Sequence, residues 1–207
     1  MSSNVNSENY YIQVKDFLTE EMRKKLIIRY NEIDLGSFYK PQVINDETGY
    51  MNQYRDLHNE VNSFKFHNIA NNPSFYEIFC KDTLNDIQEI YDGEFMVFIH
   101  STNDTDVFPI HKDPKISRQC CLNIPLIPDY SEYRPTHFYE DITSKEPLLS
   151  INYPAIRSPV LMNLQKFHNV GGHDKPSTSL ALQVSWRDKT YMEVKTMLAN
   201  KGFLVYA

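Results

Sequence analysis

The residues of this chain that could do chemistry are histidines and carboxylates. His111 and Asp113 stand two positions apart in the segment VFPIHKD, whose β-branched and aromatic residues predict a strand. Alternate residues of a strand project from the same face, so this imidazole and this carboxylate can bind one metal ion. His168 or His173 could supply a third ligand. Two histidines and one carboxylate form the ligand set of non-haem Fe(II) sites, which leaves positions open for a co-substrate and dioxygen.

The His-x-Asp spacing by itself is weakly specific. Seven histidines and fourteen aspartates among 207 residues give, by chance, roughly one such pair in every two chains of this composition. His58 and Glu60 form a similar pair in a segment with no strand signal. The alternative interpretation of His111 and Asp113 is an exposed loop histidine beside a solvated carboxylate.

Motifs of other common enzyme classes are missing from the sequence. It contains no GxSxG, GxxxxGK(S/T) or GxGxxG pattern and no CxxC pair, which argues against the usual hydrolase, P-loop and Rossmann sites. The odd number of cysteines, Cys80, Cys120 and Cys121, predicts reduced thiols and, by default, a cytoplasmic location. Cys120 and Cys121 are expected to pack a strand as small apolar side chains. A reactive thiolate activated by the nearby Arg118 is the alternative.

The charge and hydropathy of the chain restrict its partners. The formal net charge of −6 argues against a nucleic-acid partner, because proteins that bind phosphate backbones concentrate positive charge. No run of eighteen apolar residues is present, so no transmembrane helix is expected. The polar first residues, MSSNVNSENYY, lack the charged and apolar regions of a secretory signal.

Helices are predicted towards both ends of the chain. Asp16–Asn31 carries apolar residues at helical spacing, with Thr19 as its N-cap. A second helix is predicted over Ser74–Asp92, where Gly93 supplies the stop signal. A closing helix begins at a capping box that starts with Thr190, and it ends at Gly202.

The segments between these helices predict short strands, at 94–100, 107–113, 120–127, 159–164 and 179–186. Proline-containing breaks separate them, and this pattern favours a sandwich or jelly roll over βαβ units. The sequence therefore predicts one domain over 1–207, with helical support over 1–93, a β core over 94–186 and a closing helix and tail over 187–207.

Three segments in this order resemble the 2-oxoglutarate/Fe(II)-dependent oxygenase superfamily: FPIHKDPKISRQCCLNIPLI, LMNLQKFHNVGG and SLALQVSW. The resemblance covers about ninety residues, from Glu94 to Trp186, and the helix DFLTEEMRKKLI is similar to the one that commonly precedes this core. It implies a mainly β member of the α+β class, a double-stranded β-helix (jelly roll) flanked by N-terminal helices.

The resemblance also implies the iron ligands. His111, Asp113 and His168 match the superfamily's ligand positions, and fifty-five residues separate Asp113 from His168, as is usual there. FHNV matches the distal motif whereas GHDK does not, so His173 is expected to be a loop histidine.

One departure concerns the co-substrate. The superfamily usually has an arginine on the last core strand that binds the distal carboxylate of 2-oxoglutarate, and Ser179 stands at that position. A hydroxyl cannot form the bidentate, charge-assisted pair that arginine makes with a carboxylate. Arg118, seven residues after His111, is the best replacement, and Lys175 and Arg187 are weaker ones. His100 lies near where many members place a co-substrate tyrosine; a core or surface histidine is the alternative.

The function that the resemblance implies is an Fe(II)- and 2-oxoglutarate-dependent dioxygenase. It would hydroxylate a small-molecule or peptidyl substrate through a ferryl species, consuming dioxygen and releasing succinate and CO2. Asp113 favours hydroxylation over halogenation, because a halide needs the position of the carboxylate. Tyr130, Tyr133 and Tyr139 either line a substrate mouth or are loop aromatics. Two other classes stay open: a cupin-like metalloenzyme that does not use 2-oxoglutarate, and a non-catalytic jelly-roll binding protein.

Overall fold

The computed structural model describes residues 5–16, 18–32, 64–68, 95–102, 110–113, 118–127, 133–171, 179–186 and 188–205. The predicted helix Ser74–Asp92 lies outside these residues, as does the first part of the predicted strand 107–113. Also outside them are His58, Glu60, Cys80, Tyr130, His173, Lys175 and Arg187.

Two antiparallel sheets form the described part of the chain. The strands are β1 (Tyr11–Gln13), β2 (Phe64–Asn68), β3 (Phe95–Thr102), β4 (Cys120–Pro125), β5 (Thr136–Tyr139), β6 (Leu149–Ile151), β7 (Val160–Asn163), β8 (Phe167–Val170) and β9 (Ser179–Trp186). The first sheet has the order β1-β7-β4-β9-β3-β2, and the second has the order β6-β5-β8. The helices are α1 (Glu20–Glu32), the short α2 (Tyr153–Ile156) and α3 (Tyr191–Asn200).

One apolar cluster joins the six-stranded sheet to the helices. It includes Leu122 of β4, Leu182 and Val184 of β9, Leu26 of α1 and Leu198 of α3, all with no exposed surface. Alternate residues of β9 belong to it, as the apolar periodicity of SLALQVSW predicts. Helices α1 and α3 therefore cover one face of this sheet.

A second apolar cluster lies between the two sheets. It contains Cys121 and Ala181 from the larger sheet and Phe138 and Ile151 from the smaller one. The space between the sheets is therefore packed, and a site there must share it with apolar side chains.

The predicted helix boundaries are confirmed at both ends of the chain. The amide of Met22 donates to the Thr19 hydroxyl at 3.2 Å, so Thr19 caps the first turn of α1. Thr190 and Glu193 form the reciprocal capping box that begins α3. Gly202 has φ +74° just beyond α3, a conformation that suits a residue without a Cβ.

The region 1–93, predicted as helical support, contains α1 and also two strands, β1 and β2. β1 has three residues, too few for an alternating pattern, and it forms by pairing with β7 from the far half of the chain. β2 alternates Phe64 and Phe66 with polar residues, and this local pattern predicts a strand. Like β2, strands β5, β6 and β8 lie outside the strands predicted from the sequence.

None of the helices in the described ranges is both long enough and apolar enough to cross a membrane.

Replacing Leu182 by alanine should lower the free energy of unfolding by about 2–5 kcal/mol, because the change leaves a cavity in the cluster below the helices. Urea denaturation measures this loss. Met192, 56% exposed on α3, provides the control: Met192→Ala should change the stability by less than about 0.5 kcal/mol. Equal stabilities of the two variants would contradict the assignment of this core.

Candidate metal centre

A pair of backbone hydrogen bonds brings His111 next to His168. The amide of each residue donates to the carbonyl of the other at 2.9 Å, an isolated antiparallel bridge at the edge of β8. The centroids of the two imidazole rings are 4.4 Å apart, and both residues are buried. The backbone pairing of these two segments thus brings both rings to the same place.

Asp113 joins this pair from the segment that carries His111. Its amide donates to the carbonyl of Leu164 at 3.1 Å, and its Oδ1 lies 3.4 Å from Nε2 of His111. One ligand atom from each of His111, Asp113 and His168 lies within 4.8 Å of the others. Ligand atoms about 2.1 Å from a shared ion stand roughly 3–4 Å apart, so small side-chain movements suffice for coordination.

The hydrogen bonding of His168 fits a metal ligand. Its Nδ1 lies 2.9 Å from the carbonyl oxygen of Lys166, which can only accept, so Nδ1 carries the proton. Nε2 of the neutral ring then offers its lone pair, the arrangement that outer hydrogen bonds impose on metal-binding histidines. Burial, helped by the charge of His111, lowers the pKa of His168 to about 4. The ring is therefore neutral near pH 7.

Asp113 is held in its charged form. Burial acts to raise the pKa of this carboxyl, but the charge of Arg118, the hydrogen bond with His111 and the charges of both histidines together lower it well below its ordinary value. Nε of Arg118 lies 3.4 Å from Oδ2 of Asp113. The three candidate ligands, two imidazole nitrogens and one carboxylate, form a set that suits Fe(II).

Arg118 continues into a row of polar side chains between the sheets. Its Nε donates to the hydroxyl of Ser185 at 2.9 Å, and its Nη2 donates to Oε1 of Gln183 at 2.7 Å. Gln183 donates to Oδ1 of Asn123 at 3.2 Å, and Asn123 donates to the hydroxyl of Tyr153 at 3.0 Å. Each polar side chain of this row thus has a hydrogen-bond partner, which offsets the cost of its desolvation.

The other two predicted co-substrate residues lie at a different end of β9. Ser179 is the first residue of β9 and pairs with Thr102, and His100 lies two positions from Thr102 on β3. Gln183, which binds Arg118, is four positions from Ser179, roughly 13 Å along an extended strand. The structure therefore brings Arg118 to the metal ligands and places Ser179 and His100 further along the sheet.

Comparisons with known proteins identify the fold. No protein family profile matches the chain, and no curated protein matches its sequence. A solved prolyl hydroxylase from Trichoplax adhaerens, in complex with a peptide fragment of the hypoxia inducible factor oxygen degradation domain, superposes with a TM-score of 0.53 and 10% identity, over 94% of this chain and 89% of that one. This chain therefore shares the fold of that prolyl hydroxylase.

Two further solved structures are similar at lower scores. A prolyl-4-hydroxylase from Pseudomonas putida gives a TM-score of 0.47 at 12% identity, over 89% of this chain and 91% of that one. HygX from Streptomyces hygroscopicus, with nickel and 2-oxoglutarate bound, gives 0.49 at 8% identity, over 89% and 86%. The two antiparallel sheets of this chain match the jelly roll of the first neighbour.

Two cysteines and two tyrosines in the described part of the chain belong to its framework. Cys120 and Cys121 are buried free thiols, as predicted, and burial together with the adjacent thiol raises the pKa of Cys120 to about 12. The hydroxyl of Tyr133 donates to the carbonyl of Leu180 at 2.5 Å. Tyr139, a β5 residue, donates to Asn169 at 3.3 Å. Both tyrosines are buried in the framework that surrounds the site.

Sequence reasoning missed the polar row beside Arg118. The alternation of β9 offers a usable signal, because it places Gln183 and Ser185 on the face opposite Leu182 and Val184. Polar residues on a strand face that lies between two sheets indicate a site or a buried network. Gln165, in the turn between β7 and β8, gives no such signal.

Acid should destabilise the metal-free protein through His168. An exposed histidine titrates near 6.5, whereas the pKa of His168 in the folded chain is about 4. As the pH falls from 6.5 towards 4, the unfolded state takes up a proton that the folded state does not, so the free energy of unfolding falls, by at most about 3 kcal/mol. Urea denaturation across this range measures the loss. His168→Gln should show a shallower pH dependence than the wild type, and an identical slope would contradict this role.

Proposed function

We propose that this chain is an Fe(II)- and 2-oxoglutarate-dependent dioxygenase that hydroxylates a small-molecule or peptidyl substrate. The observation that carries the proposal is the buried cluster of His111, Asp113 and His168, which converge from two segments of a jelly roll. Two histidines and one carboxylate are the ligand set of non-haem Fe(II) oxygenases. A solved prolyl hydroxylase shares the fold, which supports the same choice.

Each ligand has a distinct task in this proposal. His168 presents Nε2 because the carbonyl of Lys166 holds its Nδ1 proton, and Asp113 supplies negative charge because Arg118 keeps it ionised. Iron held by these residues would activate dioxygen, with 2-oxoglutarate supplying two electrons through its oxidative decarboxylation and the substrate supplying the other two. Asp113 favours hydroxylation over halogenation, since it keeps the position that a halide would need.

We also propose that the jelly roll is a double-stranded β-helix. The segment of His111 lies beside β8 and extends the order β6-β5-β8 by one position. Four strands of the larger sheet, β7, β4, β9 and β3, then face four segments of the smaller one. In this arrangement β1 and β2 are additions at the two edges, and the N-terminal helices flank the core.

Arg118 is the proposed cation for a carboxylate of 2-oxoglutarate. Its side chain lies between the metal ligands and the polar row, and a guanidinium can bind a carboxylate through two hydrogen bonds. Ser179 and His100 stay weaker candidates for co-substrate binding, because they stand along the sheet from Arg118. A peptidyl substrate is supported by the peptide bound to the Trichoplax adhaerens neighbour. The free thiols of Cys120 and Cys121 suit the proposed cytoplasmic location.

One observation favours a second candidate, a cupin-like metalloenzyme that does not use 2-oxoglutarate. The guanidinium of Arg118 already bonds Gln183 and Ser185 and pairs with Asp113. A co-substrate carboxylate has to compete with these partners. A cupin-like enzyme needs no such exchange, so the two candidates differ in whether a keto acid binds at the metal.

An anaerobic titration separates the candidates. Fe(II) plus 2-oxoglutarate should give a weak visible charge-transfer band with the wild type, and succinate release with candidate substrate pools should follow in air. His111→Ala, Asp113→Ala and His168→Ala should each abolish the band, because each removes one ligand of a three-residue site. His173→Ala is the matched control and should leave the band intact.

The outcomes of this titration are distinct. Iron binding without the band would favour the cupin-like enzyme, whereas the lack of stoichiometric iron binding would favour a non-catalytic jelly-roll protein. Loss of the band in His173→Ala with retention in His168→Ala would overturn the ligand assignment.

Arg118→Ala should weaken 2-oxoglutarate binding more than Ser179→Ala, by roughly tenfold or more, because it removes a charge-assisted pair. The affinity is measured from the band at increasing 2-oxoglutarate with Fe(II) saturating, so that a change in iron affinity does not enter. Arg118→Lys should restore part of the loss, since it returns the charge without the fork of donors. Equal affinities for wild type and Arg118→Ala would remove Arg118 from the co-substrate site.

A further inference from the structure

The turn between β7 and β8 contacts both halves of the metal-binding triad through its backbone. The carbonyl of Lys166 accepts the Nδ1 proton of His168 at 2.9 Å. The carbonyl of Leu164, in the same turn, accepts a hydrogen bond from the amide of Asp113 at 3.1 Å. One short turn therefore orients a histidine ligand and holds the backbone of the carboxylate ligand.

The side chain of Gln165 adds a third link from this turn. Its Nε2 donates to the backbone carbonyl of Asp113 at 3.1 Å and to the backbone carbonyl of Arg118 at 3.3 Å. Asp113 and Arg118 are five positions apart in the chain, so a single carboxamide sets the separation of these two backbone positions. They carry the carboxylate of the triad and the cation paired with it.

The backbone of Gln165 is itself fixed. Its amide donates to Oδ1 of Asn163 at 3.1 Å, and the amide of Lys166 donates to the carbonyl of Asn163 at 3.2 Å. The amide of Leu164 donates to the carbonyl of Gln119 at 3.1 Å, next to Arg118. The anchored backbone fixes the Cα from which the carboxamide reaches, so its two hydrogen bonds tie the backbone at Asp113 and at Arg118 to this turn.

We propose that Gln165 is a positioning residue of the metal centre. It holds the segment that carries Asp113, together with the start of β4, against the turn that orients His168. The inference rests on the proposed metal-binding function, and it adds a residue that does not touch the ion. Outer hydrogen-bond partners of this kind typically change metal affinity by about 10–100-fold when they are replaced.

The test is Co(II) binding to Gln165→Glu, followed by visible absorption and by calorimetry. Glutamate has nearly the same shape, but it places an acceptor where the donor faced two carbonyl oxygens. We expect Co(II) to bind about 10–100-fold more weakly, with altered visible bands because the carboxylate ligand is displaced. Gln165→Met, which is neutral and of similar length but lacks the donor, should also weaken Co(II) binding. Gln165→Asn should weaken it as well, because the shorter carboxamide does not reach the two carbonyl oxygens.

Thr190→Ala is the control for a merely structural effect. It removes the capping box of α3, away from the triad, so it should destabilise the fold and leave the Co(II) affinity and spectrum unchanged. A Gln165→Glu protein that binds Co(II) within twofold of the wild type overturns the positioning role. If none of the three Gln165 variants folds, Gln165 supports the whole fold, which also overturns the narrower role.

Failure of the positioning role and failure of the oxygenase proposal give different results. Wild-type protein that binds Co(II), loses affinity in Gln165→Glu and forms no Fe(II)–2-oxoglutarate band retains the positioning role and loses the dioxygenase. Normal Co(II) binding by Gln165→Glu, together with a normal Fe(II)–2-oxoglutarate band in the wild type, overturns the positioning role and supports the dioxygenase. Wild-type protein that binds no Co(II) overturns both.

Discussion

The geometry of the candidate centre depends on the two backbone hydrogen bonds between His111 and His168. These residues are fifty-seven positions apart, and nothing local in the chain brings them together. Each bond contributes only about 0.5–1.5 kcal/mol net. Together, however, the two bonds fix the backbone positions of both histidines opposite each other, whatever rotamers their side chains adopt. Asp113 then follows from His111 by the two-residue period of an extended segment. The triad is therefore a property of strand register.

Charge compensation is the second requirement of this site. Asp113 is only 13% exposed on its side chain, and a buried carboxylate without a partner is strongly destabilising. Arg118 provides that partner, and Gln183 and Ser185 satisfy further donors of its guanidinium. The polar row therefore helps to keep a charged pair between two packed sheets. Asn123 of β4 and Gln183 of β9 are paired neighbours in the larger sheet, so the register of these two strands also sets the middle of the row.

The sequence predicts those parts of the molecule that local patterns determine. The capping box at Thr190, the alternation of β9 and the His-x-Asp pair are all local, and each lies where it was expected. β1 could not be predicted, because its three residues acquire their structure from β7. Gln165 could not be assigned either. Its role arises from two carbonyls some fifty residues away, and a lone glutamine in a turn gives no hint of them.

The departure at Ser179 has a physical consequence for the proposed oxygenase. A cation at the start of β9 would serve the co-substrate alone, whereas Arg118 also pairs with a metal ligand. A guanidinium has five N–H donors, and here Nε and Nη2 already face Ser185 and Gln183. In the proposed oxygenase, a keto acid carboxylate at Arg118 would compete with these partners. The ionisation of Asp113 and the binding of the co-substrate would then share one charge, so each would alter the other; an arginine at position 179 would keep them separate.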